Sequence, residues 1–182
     1  MMKKLLQILL LSIFILAINS TEAQRYITKK GVLKAKYKAP HGEMQAENKM
    51  VAMAVDTKTG AVQINIVMLS FRFSGPFAQQ QFNDYFKKNA HFSNSTFKGS
   101  ITNLPNINFN KKGKYSAEVV GELTFRRITN KVKADVQIEV EDETVYGKTK
   151  LIVNLLDFNF KLPASMEKNV EMTVEGKLDK LK

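Results

Sequence analysis

The strongest constraint on the fold is an alternation of apolar and polar residues that recurs along most of the chain. In residues 132–140, Val132, Ala134, Val136, Ile138 and Val140 alternate with Lys133, Asp135, Gln137 and Glu139. A period of two places one set on a buried sheet face and the other in solvent. The same pattern runs through 114–125 (Tyr115, Ala117, Val119, Gly121, Leu123, Phe125), 144–156 (Val145, Gly147, Thr149, Leu151, Val153, Leu155) and 170–178. Weaker versions cover 25–38, 44–56, 61–73 and 95–103. About eight strands are therefore expected. Turn residues lie between them, including Asp56-Thr57-Lys58-Thr59-Gly60, the Asn- and Pro-bearing stretch 104–113, a turn around Arg127 and Asn130, and the acidic Glu141-Asp142-Glu143.

Serial antiparallel strands with polar outer faces fit an up-and-down barrel or a sandwich. Gly99, Gly121, Gly147 and Gly176 fall on the apolar faces of four different strands, where a glycine marks a bend or room for a ligand. These positions favour the barrel. Eight strands give an interior that is either filled by side chains or holds one small ligand.

One stretch breaks the pattern. Residues 77–97, FAQQQFNDYFKKNAHFSNSTF, carry six of the chain's 17 Phe and Tyr residues. Phe82, Tyr85 and Phe86 stand at i, i+3 and i+4, opposite Asp84, Lys87 and Lys88, which predicts an amphipathic helix. Ser74-Gly75-Pro76 stops the preceding strand, whose second half is apolar at most positions. That half is expected to be covered on both faces, with the aromatic helix as a lid over one mouth of the barrel.

Residues 1–23 read as a secretory signal peptide, with a basic start (Lys3, Lys4), an apolar core from Leu5 to Ile18 and a small-residue cleavage site ending at Ala23. Cleavage there leaves 182 − 23 = 159 residues beginning at Gln24, one domain. It lowers the formal charge from +11 to +10, because two Lys and one Glu depart. A soluble periplasmic or secreted protein is expected. With no Cys there is neither a disulfide nor a cysteine for an N-terminal lipid anchor. The basic residues are spread: Lys34, Lys36 and Lys38 alternate along one strand in the manner of an ordinary solvent face. Nucleic acid is not an expected partner, whereas transient attraction to an anionic membrane surface is compatible with the charge.

Residues suited to catalysis are few. His41 reads as a loop residue, and His91 as a polar tip near the barrel mouth. Glu139, Glu141, Asp142 and Glu143 lack the spacing of a calcium loop and read as a charged turn. Asp157, alone among Leu155, Leu156, Phe158 and Phe160, is expected to cap backbone N–H groups at a strand corner; as a buried acid it would be the one foothold for a hydrolase or isomerase. No metal site, cofactor or enzyme activity is expected. An apolar ligand would be lined by Phe71, Phe73, Phe77, Phe82, Tyr85, Phe86, Phe97, Ile101, Val119, Leu123, Leu151 and Val153. The same residues would otherwise be plain core.

Three segments resemble the YceI family of exported lipid-binding proteins. Residues 77–101 are similar to its helix, phenylalanine-rich segment and T-F-x-G strand. Residues 113–132, GKYSAEVVGELTFRRITNKV, are similar to its G-x-Y-x-V-x-G-x-L-T-I-x-G-V-T-K hairpin. Residues 155–163, LLDFNFKLP, are similar to its D-Y-x-I-x-I-P corner. The resemblance as a whole spans roughly residues 32–178, and these three segments carry it. Two departures stand out: Ser93 and Asn94 where the family has Pro, and Arg127 where it has a turn Gly, which points either to an altered turn or to a family branch without that constraint. The resemblance implies a mainly β, lipocalin-like, eight-stranded antiparallel barrel with one helical lid. It implies an interior that binds a polyisoprenoid chain, such as a quinone tail or polyprenyl lipid. The alternative is a filled barrel acting as a structural or stress-associated interaction module.

Overall fold

The computed structural model describes residues 24–39, 42–160 and 167–181. The expected signal peptide, His41 and residues 161–163 of the corner lie outside them. The chain forms β1 (Arg25–Ala39), β2 (Gly42–Asp56), β3 (Ala61–Val67), β4 (Phe71–Phe73), α1 (Pro76–Lys88), β5 (Asn94–Ile101), β6 (Gly113–Phe125), β7 (Ile128–Val140), β8 (Thr144–Asn154) and β9 (Asn169–Lys180). All pairings are antiparallel, in the order β1-β9-β8-β7-β6-β5-β3-β2, and β1 pairs with β2 to close the ring. The result is an eight-stranded barrel with β4 as an appended segment, and no strand of the ring is left with a free edge along its whole length.

The expected strand over 61–73 is two strands. β3 pairs with β2 as far as Ala52↔Asn65, and β4 resumes at Asn48↔Phe71. Between these pairs three residues on β2 thus face five on its partner. The two extra residues are absorbed by a 3-10 turn at Met68–Ser70. Asn48 makes that interruption tolerable. Its fully buried carboxamide donates to the Val67 carbonyl and accepts from the Met50 amide, both at 2.9 Å. Buried backbone groups freed from the ladder thereby keep partners.

The hairpin between β6 and β7 is tighter than the sequence suggests. Phe125 pairs with Ile128, so Asn130 is already in the strand and the turn is Arg126-Arg127 alone. Both have positive φ, 51° and 65°. That is the two-residue geometry that matches strand twist and ordinarily selects Asn and Gly. The turn keeps the conformation a glycine would adopt and accepts the steric cost of a side chain there.

β8 stops at Asn154 rather than continuing to residue 156. Leu155–Phe158 form a 3-10 turn capped by Asn154, whose Oδ1 accepts from the Leu156 amide at 3.0 Å. Helix α1 begins at Pro76, whose missing N–H costs nothing at the first helical position. It lies against β4 and the open end of the barrel. Gln79 joins the two, accepting from the Phe73 amide at 2.9 Å and donating to the Phe71 carbonyl at 3.2 Å. Its carboxamide acts as the next strand would on the outer edge of β4. At the opposite end the core closes on buried Tyr26, Val140, Ile107 and Phe109.

Candidate ligand-binding site

The inward faces of all eight ring strands enclose a cavity of about 160 Å³. All but three of its 24 lining residues are apolar, the exceptions being Lys148, Thr149 and Glu175. Phe97, Ile101, Val119, Leu123 and Leu151, expected from the sequence, line it. So do Met53, Val62, Ile64, Val136, Met172 and Val174, which sequence reasoning did not single out. The period-two pattern of β3, β7 and β9 already carried that signal, since every second residue on the apolar face of a closed barrel points to its axis.

The aromatic residues of the expected lid do something different. Phe73, Phe82, Phe86 and Phe125 form a continuous chain of ring contacts with centroids 4.7, 4.6 and 6.4 Å apart. Phe71 joins it edge-on to Phe82 at 5.8 Å, and Tyr85 edge-on to Phe86 at 5.0 Å. None of Phe71, Phe73, Phe82, Tyr85 and Phe86 lines the cavity. They are a plug that packs on itself, with Phe86 only 2% exposed at its centre. Phe77 is 72% exposed and belongs to neither group, because the first turn of α1 points it away from the barrel. His91 is exposed, tilted against the Phe92 ring at 4.0 Å and outside the cavity.

The glycines also divide. Gly99 and Gly121 are direct partners across β5 and β6, yet the space above them belongs to the Phe97 ring, and that above Gly176 to Met53. A Cβ on Gly147 would meet only Val136, at 3.7 Å, so this glycine alone among the four leaves room in the cavity.

A second opening, about 470 Å³, lies between β7 and β8. These strands pair only from Val140↔Val145 to Val136↔Thr149 and then part. The Thr149 hydroxyl donates to the Asp135 carbonyl at 2.7 Å where the ladder ends. Val153 lines this opening rather than the inner cavity. At its far end the Asn130 side chain donates to the Asp157 carbonyl at 2.7 Å. Arg126 Nη1 donates to the next two carbonyls, of Phe158 and Asn159, at 3.3 and 3.0 Å. Its guanidinium also lies over Phe160 at 4.6 Å, Tyr85 at 5.5 Å and Phe92 at 5.6 Å. The β6–β7 hairpin thus grips three successive carbonyls of the 155–160 corner and ties that corner to the helix.

The ionisable groups near the cavity are mutually satisfied. Glu175 pairs with Lys148 at 3.0 Å and Lys34 at 3.7 Å, and it accepts from the Tyr146 hydroxyl at 3.1 Å. The Lys148 ammonium holds the Glu175 carboxyl below the usual carboxylate range against the opposing effect of burial, with Tyr146 adding a second hydrogen bond. Lys148 is raised in turn by Glu175, and Tyr146 is raised by burial and then by Glu175. Asp157 is exposed and offers only its carbonyl to the corner, so the capping role expected for it belongs to Asn154. Among the described residues no three His, Cys, Asp or Glu side chains gather as metal ligands, and no helix is long and apolar enough to cross a membrane.

The fold and this cavity place the chain among known proteins. No curated protein matches it. Three solved structures share its fold at low identity. A polyisoprenoid binding domain from Saccharophagus degradans, implicated in plant cell wall breakdown, superposes with a TM-score of 0.74 at 10% identity, covering 88% of this chain and 100% of that one. BcnA of Burkholderia cenocepacia gives a TM-score of 0.62 at 16% identity, covering 82% and 96%. The Campylobacter jejuni YCEI protein gives 0.57 at 14% identity, covering 75% and 84%. The YceI-like domain matches residues 22–178, nearly the whole chain, and the protein belongs to the YceI-like family.

Proposed function

We propose that the protein is an exported carrier that holds the apolar chain of a polyisoprenoid or quinone-type lipid in its barrel and performs no chemistry on it. The observation that carries this reading is the cavity wall, to which every one of the eight strands contributes apolar residues. Each methylene buried there contributes ~0.8 kcal/mol, so a chain can be retained without polar recognition. Family membership supports the reading, as does the fold shared with the polyisoprenoid binding domain. The leader-like residues 1–23 support passage to the periplasm or outside the cell, and the formal charge of +10 left after their removal supports transient contact with anionic lipid surfaces.

The test is mass spectrometry of organic extracts from protein purified natively without detergent. A long-chain isoprenoid lipid is expected at a sizeable fraction of one per protein. If nothing co-purifies, and added quinone or polyprenol leaves the intrinsic Tyr fluorescence unchanged, the carrier reading falls. The rival, a filled barrel serving as a structural or interaction module, draws on one observation: Phe97 and Met53 fill the space beside Gly99, Gly121 and Gly176.

A further inference from the structure

The inner cavity is too short for the ligand it is built to take. At about 160 Å³ it compares with the ~150 Å³ engineered cavity that binds one benzene, so it holds roughly six carbons of a chain. The remainder needs a way out. Both ends of the barrel are closed, one by the aromatic plug around Phe86 and the other by Tyr26, Val140 and Phe109. The side is not. If the register of Val136↔Thr149 continued, Ala134 would oppose Leu151 and Val132 would oppose Val153, but the ladder stops and those pairs do not form. Val132, Ala134 and Leu151 line both the inner cavity and the opening between the strands, so the two meet at a shared apolar wall.

We propose that this window between β7 and β8 is a second half of the ligand site. In it a single-chain amphiphile lies with its apolar end in the barrel and its polar end at the window, and through it the lipid enters and leaves. The proposal rests on the carrier reading and specifies it. Three features suit the window to that occupant. Its inner wall is apolar, so it continues the environment of the chain. Toward the rim, residues 130–135 of β7 and 150–154 of β8 have no strand partners on their facing edges, apart from the Asp135 carbonyl taken by Thr149. Unpaired backbone groups call for a polar partner such as a hydroxyl or phosphate head. Outside, exposed Lys131, Lys133 and Lys150 outnumber Asp135 and Asp157, with Lys133 also paired to Glu118 at 3.6 Å, while Ile152 is 71% exposed. A basic rim carrying an exposed Ile is a surface that can rest on an anionic bilayer while a chain is exchanged.

The experiment uses two probes, benzene and the C20 alcohol geranylgeraniol, measured by calorimetry on the wild-type protein and on Val153→Trp. This substitution fills the window without lining the inner cavity. Wild type is expected to bind both. Val153→Trp is expected to lose geranylgeraniol affinity at least tenfold and benzene affinity less than twofold. Equal affinity of both proteins for geranylgeraniol overturns the window while leaving the carrier reading standing. Failure of wild type to bind either probe removes both. Should Val153→Trp not fold, a fluorescent maleimide at Ile152→Cys, the only cysteine in the chain, reports the same question. A C18 fatty acid with a nitroxide at carbon 5 should quench it at least threefold more than one with the nitroxide at carbon 16. Equal or no quenching by bound fatty acid overturns the proposal.

Discussion

The ring of Phe97 lies over Gly121, its Cζ 2.6 Å from where a Cβ on that residue would stand. Gly99, directly opposite Gly121 on β5, shelters the same ring at 2.7 Å. Two strands therefore give up side chains at one level so that one aromatic can lie flat in the barrel wall. Gly121→Ala would also set its Cβ 2.6 Å from the Gly99 backbone, which cannot swing aside as a side chain can. We expect it to destabilise the protein by about 1–3 kcal/mol, as overpacking does, read as a lower urea midpoint at unchanged slope. Gly147→Ala, whose Cβ would make only an ordinary contact with Val136 at 3.7 Å, should cost less than half as much.

The two arginines of the β6–β7 turn share a conformation but differ in what holds it. Arg127 is exposed at φ 65° and makes no hydrogen bond or ion pair among the described residues, so Arg127→Gly relieves strain. A gain of about 0.5–1 kcal/mol is expected, the relief being offset in part by the extra freedom of glycine in the unfolded chain. Arg126→Ala keeps the strained φ while removing two hydrogen bonds and three ring contacts. Its loss should be about 2 kcal/mol, together with faster amide exchange in residues 155–160. Opposite signs at adjacent positions are the readout.

Phe86 stands at the centre of the plug rather than in the cavity. Phe86→Ala should therefore cost about 3–4 kcal/mol of stability while changing benzene affinity less than twofold in the fraction that remains folded. A ligand-lining residue would do the reverse. Thermal melts with and without benzene separate the two.

Glu175 makes stability depend on pH at both ends. Its carboxyl is held below its ordinary value, so its contribution is present above the unfolded carboxylate pKa and is lost as pH falls through the folded one. Asp56, lowered chiefly by the Thr59 amide, acts in the same direction and keeps part of the acid limb when Glu175 is gone. Lys148 and Tyr146 are raised, so their contributions are complete below their unfolded pKa values and fade as pH rises through the folded ones. Glu175→Gln should flatten both limbs of a Tm-against-pH curve, most visibly below pH ~5 and above pH ~10. Identical curves for the two proteins would remove Glu175 as the hub of this network.

Much of the barrel could be read directly. Alternation at Val132–Val140, or at Tyr115–Phe125, depends on one strand having one wet and one dry face, a property of neighbouring residues that the order of amino acids records. The helix at Phe82, Tyr85 and Phe86 was legible for the same reason. The cavity lining was harder to read, because aromatic content does not say what an aromatic touches. Phe97 and Phe86 look alike in the chain, yet one lines the cavity and the other seals the end.

By itself, then, the sequence determined the number of strands to within one, their dry faces, the single helix and the positions where glycine thins the wall. Only the tertiary structure decided that the strand after Ala61 breaks over Asn48, that Phe97 and Met53 take the space three glycines leave, and that β7 and β8 part beyond Thr149. The reason is physical. A period of two reports the environment across one strand, whereas strand separation and cavity depth are set by how distant strands meet once the ring is closed, and no local pattern encodes that distance.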